Sequence, residues 1–218
     1  MSSAEQRRQQ ILGGIKGAAK VARRELGDVT LIAVSKTRNP EAIEALIAAG
    51  QRDFAESRVQ EAQSKWPPIL ARHPGVRLHC VGRLQSNKSA DTVALFDVIH
   101  SLDRPSLLDS LANEAEKAGR APCVYVQANI GNEPQKGGCP IPEVGALVAQ
   151  VRATPLPLAG LMCIPPLGVE PSPFFALLAK IAAEHGVPGL SMGMSQDYRA
   201  AVMLGATAVR VGTALFED

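Results

Sequence analysis

Short apolar runs alternate with amphipathic segments along most of the chain. The runs are almost entirely apolar, which is typical of strands that are buried on both faces of a parallel sheet. Between the runs, apolar residues recur at three- and four-residue spacing, which predicts helices that each bury one face. The pattern predicts eight strands, over residues 29–35, 53–55, 77–82, 97–102, 122–130, 157–164, 189–192 and 208–212.

The segments between the strands predict one helix each. They cover residues 40–50, 56–66, 86–96, 105–119, 142–152, 173–186 and 195–205, and a further N-terminal helix is predicted over 4–26. Eight such units indicate a single α/β domain over residues 1–218, folded as a (β/α)8 or TIM barrel. A doubly wound open sheet is the alternative, although the turn after the first strand lacks a glycine-rich nucleotide motif.

Composition and charge narrow the class of protein. The chain carries 23 Lys and Arg against 21 Asp and Glu, whereas dedicated nucleic-acid binders usually have a larger basic excess. No apolar run reaches the roughly 18 residues of a membrane helix, and the N-terminus lacks the apolar segment of a signal peptide. The four cysteines and four histidines have no metal-binding or redox spacing. We therefore expect a cytoplasmic protein with reduced thiols and no metal, nucleic-acid or membrane ligand.

The end of the first strand offers a candidate nucleophile. Functional residues of a (β/α)8 barrel follow the C-terminal ends of its strands, and the first strand ends at Ser35 and Lys36. We expect Lys36 to be half-buried because it closes an apolar strand. Burial favours the neutral amine, which is the form that attacks a carbonyl to make a Schiff base. The alternative is a lysine that reaches solvent or pairs with a carboxylate.

The last two loops of a (β/α)8 barrel often bind phosphate. Hydroxyl groups and flexible backbone follow the seventh strand at Ser191, Met192, Gly193, Met194 and Ser195, and the eighth at Gly212 and Thr213. Such groups suit an anion, although the first loop could equally be a helix cap with buried methionines.

Arg210 lies within the apolar eighth strand, where an unpaired arginine is rare. It either donates to a ligand in the barrel mouth or forms a salt bridge with an acid such as Glu56. A lysine nucleophile, two phosphate-binding loops and an arginine together match pyridoxal 5'-phosphate (PLP). An aldolase-like barrel, in which Lys36 reacts with a sugar phosphate without any cofactor, is a further interpretation.

Seven segments in the same order resemble the pyridoxal-phosphate homeostasis family, the alanine racemase-like proteins. They are AVSK (33–36), VGRLQSNK (81–88), IHSLDR (99–104), NIGNEPQKGG (129–138), GLMCIPP (160–166), LSMGMSQD (190–197) and VRVGTALF (209–216). One segment departs from the family pattern: Phe54-Ala55-Glu56-Ser57 stands where the family usually reads FGEN.

The resemblance implies a barrel of fold-type III with PLP on Lys36 as a Schiff base. It also implies that Arg210 approaches the pyridine nitrogen and that Ser57 stands where the family asparagine lies near the ring. The implied phosphate-side residues are Ser191, Met192, Ser195, Gly212 and Thr213. Because Ser57 is shorter than asparagine, a ring contact there is either lost or bridged by water.

The resemblance further implies a monomeric carrier that buffers PLP and delivers it to apo PLP-dependent enzymes. An arginine at the pyridine nitrogen weakens the electron sink that carbanion chemistry needs. A racemase also needs a second acid/base, and we expect both Tyr125 and Tyr198 to pack in the core. A low-activity PLP-dependent racemase on the same site is the alternative. Lys136, in a Gly- and Pro-rich loop, is a candidate transient acceptor of the aldehyde.

Overall fold

The eight predicted strands form a closed parallel barrel in a computed structural model that describes residues 2–216. The strands are β1 (Thr30–Val34), β2 (Asp53–Glu56), β3 (Arg77–Cys80), β4 (Val98–Leu102), β5 (Cys123–Gln127), β6 (Leu158–Met162), β7 (Leu190–Ser191) and β8 (Ala208–Val211). Each strand pairs with the next, and β8 pairs with β1 from Thr30–Ala208 to Ala33–Val211. This closure confirms the (β/α)8 prediction and excludes the open sheet. Residues 1, 217 and 218 of the predicted domain lie outside the described part of the chain.

Helices follow the strands and cover the outside of the barrel. They are α1 (Ser3–Val21), α2 (Pro40–Ala48), α3 (Val59–Arg72), α4 (Ser89–Leu95), α5 (Pro105–Ala118), α6 (Val144–Arg152), α7 (Ser172–Glu184), α8 (Tyr198–Met203) and α9 (Thr213–Phe216). Helix α1 is the predicted extra helix, and it packs against α8, α9 and α2. Within residues 2–216, no helix is both long and apolar enough to cross a lipid bilayer.

Helices α1 and α3 differ most from their predicted bounds. Helix α1 ends at Val21, not residue 26, because Arg23 takes a left-handed backbone conformation with φ of 55°. Helix α3 starts later and continues past two internal prolines to Arg72, although the sequence predicts an end at Trp66. Val59, Ala62, Trp66 and Ile69 are buried on one face of α3, so packing maintains the helix where local preference alone predicts a break.

The inside of the barrel is lined by small apolar and polar side chains. Ile32, Ala55 and Ala208 form a small buried cluster separate from the main core. In register, Ile32 pairs with Arg210, Ala55 with His79 and Ala208 with Ser191. Paired residues of neighbouring strands share a face of the sheet, so these polar residues also face the barrel interior.

Candidate functional site

A cavity of about 210 Å³ lies at the C-terminal ends of β1 and β8. Its lining residues are Val34, Lys36, Thr37, Arg38, Met194, Ser195, Arg210, Gly212 and Thr213. Five of the predicted site residues therefore meet in one place: Lys36, Ser195, Arg210, Gly212 and Thr213. Three of the lining residues are cations and none is acidic, so the cavity favours an anionic ligand.

Lys36 lies in a turn at the mouth of this cavity. Strand β1 ends at Val34, two residues earlier, and Thr37 has a φ of 62° that turns the chain. Lys36 is exposed, so the expectation of a half-buried lysine is wrong. The physical reason is that burial ends at Ser35, one residue after the strand, and the turn carries the next residue out to the rim.

A second lysine, Lys65 on α3, stabilises the turn that contains Lys36. The Nζ of Lys65 donates to the carbonyl oxygens of Ser35 (3.0 Å) and Arg38 (3.2 Å). The Thr37 N–H donates to Glu61 Oε1 at 2.6 Å. These bonds tie both ends and the middle of the turn to α3. The backbone that presents Lys36 is therefore fixed, although the Lys36 side chain is accessible.

Lys65 is itself anchored by the buried carboxylate of Glu56. The two groups are 2.8 Å apart, and their side chains are 8% and 0% exposed. The same oxygen, Oε1, also accepts from Ser35 Oγ at 2.8 Å and from Trp66 Nε1 at 2.9 Å. Glu56 thus pairs with Lys65, and the alternative of a salt bridge between Glu56 and Arg210 is wrong.

The β7–α8 and β8–α9 loops meet at the cavity. Ser195 Oγ accepts a hydrogen bond from the Gly212 N–H at 3.3 Å, and Thr213 is exposed beside them. Gly193 has a φ of 92°, and a Cβ there would lie 2.5 Å from the Ala201 Cβ. The loop conformation therefore requires glycine at this position.

Arg210 forms the inner wall of the cavity and is only 4% exposed. Its Nη1 donates to Ser191 Oγ at 2.5 Å, and its Nη2 donates to the Cys163 carbonyl oxygen at 2.9 Å. Burial lowers the pKa of the Arg210 guanidinium from its usual value, but arginine stays protonated in proteins. A fixed positive charge therefore faces the ligand space.

The remaining predicted residues lie outside this cavity. Ser191 and Met192 are fully buried, and Ser191 lies behind Arg210 as seen from the cavity. Ser57 lines a separate cavity of about 280 Å³ together with Arg58 and Lys88. Lys136 lines a third cavity, and its Nζ is 2.6 Å from Glu133 Oε2.

The tyrosines and cysteines have other partners. The Tyr125 ring stacks on His100, and Tyr198 is 5% exposed, with its hydroxyl accepting from Arg199 Nε at 3.2 Å. All four cysteines are free. Burial raises the pKa of the thiol to about 12 at Cys80, Cys139 and Cys163. Thiolate chemistry at these three cysteines is therefore disfavoured at neutral pH.

Sequence reasoning missed the polar residues that support the cavity. Lys65 and Glu56 hold the Lys36 turn, and His79 and His100 lie inside the barrel behind Arg210. Each histidine interrupts an apolar strand, β3 or β4, and these strands are neighbours. A polar residue at an inward position of two adjacent strands is the signal that could have identified the pair.

Comparison with known proteins assigns the family. The model of a family described as alanine racemase, N-terminal domain, matches residues 12–218. By this match, the chain belongs to the alanine racemase-like class of (β/α)8 barrels. Within that class, the chain belongs to the pyridoxal phosphate homeostasis protein family, as the relatives below show.

Relatives match this chain over almost their whole length. The pyridoxal phosphate homeostasis protein of Pseudomonas aeruginosa is 39% identical over 99% of this chain and 96% of its own. The protein of that name from Escherichia coli K12 is 37% identical over 95% of this chain and 93% of its own.

Solved structures agree with this assignment. PipY of Synechococcus elongatus, solved with PLP bound, has a TM-score of 0.83 and 38% identity over 93% of this chain and 100% of its own. An alanine racemase of Clostridium difficile has a TM-score of 0.69 at 16% identity, over 95% of this chain and 56% of its own. The racemase therefore shows that the fold is shared and nothing more.

Proposed function

We propose that this protein binds PLP in the Lys36 cavity, through a Schiff base to Lys36, and acts as a monomeric carrier. It buffers PLP and delivers it to apo PLP-dependent enzymes. The observation that carries the proposal is the meeting of Lys36, Arg210 and two hydroxyl-bearing loops in one cavity without an acidic residue. The PLP-bound structure of PipY, at 38% identity, supports it.

The donor set of the cavity fits the parts of the cofactor. Ser195, Gly212 and Thr213 offer two hydroxyls and a backbone N–H for the phosphate, and Arg38 adds positive charge. The bond between Gly212 N–H and Ser195 Oγ is 3.3 Å long, which is weak for its type, so a phosphate oxygen can replace it. In the proposed complex, Arg210 at the inner end of the cavity donates to the ring nitrogen.

The accessibility of the site favours a carrier. The bound cofactor supplies an aldehyde that can pass from one amine to another. Lys36 and Thr213 are both exposed, so neither loading nor release requires a lid to open. Arg210 keeps its proton and leaves the ring nitrogen unprotonated, which weakens the electron sink that racemase chemistry needs.

The visible spectrum of the purified protein tests this proposal. After addition of PLP, we expect a visible band that borohydride bleaches, because reduction converts the Schiff base to an amine. Lys36→Ala should lack the band. Lys180→Ala is the matched control, since Lys180 is an exposed lysine on α7 with its side chain 74% accessible. The control should retain the full band.

The carrier role is tested by measuring PLP transfer to an apo-enzyme and catalytic turnover of amino acids. PLP-loaded protein should activate an apo PLP-dependent enzyme, and Lys36→Ala incubated with the same PLP should not act as a donor after gel filtration. A chiral assay with single amino-acid enantiomers should detect no racemisation. A band that persists in Lys36→Ala, or no band in the wild type, would refute PLP attachment at Lys36. Rapid racemisation would instead favour the enzyme alternative.

A further inference from the structure

A continuous row of hydrogen-bonded polar side chains crosses the inside of the barrel and ends at Arg210. We call this row the file; its other members are Asp53, His79, His100 and Ser191. Asp53 Oδ1 lies 3.0 Å from His79 Nε2, and His79 Nδ1 lies 2.9 Å from His100 Nε2. His100 Nδ1 lies 2.8 Å from Ser191 Oγ, which accepts from Arg210 Nη1 at 2.5 Å. The file therefore joins β2, β3, β4, β7 and β8 through four hydrogen bonds.

The file links the two ends of the barrel. Asp53 is the first residue of β2 and is 2.6 Å from Arg77, the first residue of β3. These positions lie at the N-terminal ends of the strands, whereas Arg210 faces the cavity at the C-terminal ends. His79, His100 and Ser191 are at most 4% exposed, so water does not compete for these hydrogen bonds.

With both histidines neutral, the two ends of the file determine the direction of every hydrogen bond in it. Arginine can only donate and an ionised carboxylate can only accept. The His79 Nε2 therefore donates to Asp53, and a neutral His79 must accept at Nδ1 from His100 Nε2. A neutral His100 then accepts at Nδ1 from the Ser191 hydroxyl, which leaves the Ser191 oxygen to accept from Arg210.

The surroundings keep His100 neutral. Complete burial holds the pKa of His100 well below its usual value, and the positive charge of Arg210 lowers it further. The Tyr125 ring stacks on His100 with centroids 4.4 Å apart and an angle of 13° between the planes. This contact restricts the ring plane, and the contacts of both ring nitrogens with His79 and Ser191 favour the observed orientation within that plane.

We propose that Ser191, His100, His79 and Asp53 are positioning residues that fix the Arg210 guanidinium at the inner wall of the Lys36 cavity through one hydrogen-bonded file of a single direction. The proposal rests on the proposed function in that Arg210 is taken to face the cofactor. Cys163 O accepts from the other terminal nitrogen. Both ends of the planar guanidinium are thus held, and its remaining N–H groups keep one orientation toward the ligand.

The direction of the file is tested in protein without cofactor. We expect 15N NMR to show both His79 and His100 protonated at Nε2 and unprotonated at Nδ1 near neutral pH. We also expect the terminal N–H groups of Arg210 to give separate, slowly exchanging signals that average in Ser191→Ala. Protonation of His100 at Nδ1, or averaged Arg210 signals in the wild type, would overturn the proposal.

The link to the cofactor is tested by PLP titration. Ser191→Ala and His100→Phe should weaken PLP affinity about tenfold, since each removes support from a charged hydrogen-bond donor. His100→Asn should recover affinity to within about threefold of the wild type, because its amide oxygen replaces Nδ1 as the acceptor for Ser191. Phe175→Leu, a fully buried substitution on α7, controls for general loosening of the core and should bind as the wild type does.

These results separate the two proposals. Unchanged affinity in both Ser191→Ala and His100→Phe would overturn the positioning role. If the wild type fails to bind PLP, the proposed function fails, and the NMR signals of Arg210 still decide whether the file fixes the guanidinium. If His100→Phe does not fold, Ser191→Ala carries the test, because loss of one hydroxyl leaves the barrel packing intact.

Discussion

The two walls of the Lys36 cavity are built in different ways. At the mouth, Lys36 is exposed and its turn is held from outside the barrel by Lys65 and Glu61 on α3. At the inner wall, Arg210 is buried and held from inside the barrel by Ser191 and the Cys163 carbonyl. An amine that exchanges its partner needs access to solvent, whereas a fixed charge is most effective among oriented dipoles in a dry interior.

The two walls also handle buried charge differently. Lys65 contacts the carboxylate of Glu56 directly at 2.8 Å. Arg210 reaches the carboxylate of Asp53 only through Ser191 and two histidines. The direct pair stabilises a backbone turn, and the indirect file sets the orientation of one side chain. Substitutions at the mouth should therefore mainly affect stability, and those at the inner wall mainly affect ligand affinity.

The largest expected effect comes from breaking the ion pair beneath the mouth. Lys65→Met leaves the Glu56 carboxylate buried without its cation and should lower the free energy of unfolding by about 3–5 kcal/mol. Urea denaturation measures the change. Lys180→Met removes an exposed pair 3.9 Å long and should change stability by less than about 0.5 kcal/mol. A loss below about 1 kcal/mol in Lys65→Met would show that the pair does not hold the turn.

The β7–α8 loop, which lines the cavity with Met194 and Ser195, should be the next most sensitive element. The backbone N–H of Arg210 donates to the Gly193 carbonyl oxygen at 2.9 Å, so the conformation of this loop supports the inner wall. Gly193→Ala combines a disfavoured φ with a clash against Ala201 and should cost about 2–4 kcal/mol.

Gly168→Ala provides the matched control for Gly193→Ala. Gly168 also has a positive φ, 79°, but a Cβ there meets nothing within 4 Å. Gly168→Ala should therefore lower the free energy of unfolding by only about 1–2 kcal/mol and leave PLP affinity unchanged. Equal losses of stability, measured by thermal unfolding, would argue against close packing of the Gly193 loop.

The inner wall predicts a pH dependence of stability. The folded-state pKa of His100 is lowered by burial, so below about pH 6.5 the unfolded chain takes up a proton that the folded protein does not. The free energy of unfolding should therefore fall as pH falls, by at most about 1.4 kcal/mol per pH unit from this group. Above about pH 6.5 this contribution to stability is fully present.

Comparison with His100→Asn isolates the contribution of His100. The variant lacks the titrating group, so its stability should fall less steeply than that of the wild type between about pH 6.5 and pH 5. Urea unfolding at a series of pH values measures both slopes. Parallel slopes would mean that His100 accepts its proton equally well in both states, contrary to its burial.

The smallest expected effect concerns Ser57. Because Ser57 lines a different cavity from Lys36 and Arg210, Ser57→Asn should change PLP affinity by no more than about twofold, below 0.5 kcal/mol. Visible titration against the wild type measures it. A gain in PLP affinity of about tenfold would instead indicate that residue 57 contacts the cofactor, as the family resemblance implies.

Much of the fold could be predicted because it depends on local pattern. The eight apolar runs and the helices between them are readable from periodicity, and the strands lie where the runs predict them. The continuation of α3 past Pro67 and Pro68 could not be predicted. Burial of Trp66 and Ile69 maintains this helix, and burial depends on the neighbouring elements.

The candidate site, like the fold, could be predicted only in part. Lys36, Ser195, Arg210, Gly212 and Thr213 could be selected because strand ends are readable from sequence and meet at one face of a barrel. The exposure of Lys36 could not be predicted, because it depends on where strand pairing in β1 stops and on how Thr37 turns the chain.

The sequence by itself determined a barrel of eight β/α units and the residue types at its functional rim, because both follow from periodicity and strand order. Only the tertiary structure decided that Glu56 pairs with Lys65 and that His79 and His100 connect Asp53 to Arg210. The physical reason is barrel closure. It brings residues 91 positions apart, such as His100 and Ser191, to 2.8 Å, and no local pattern in the chain encodes that distance.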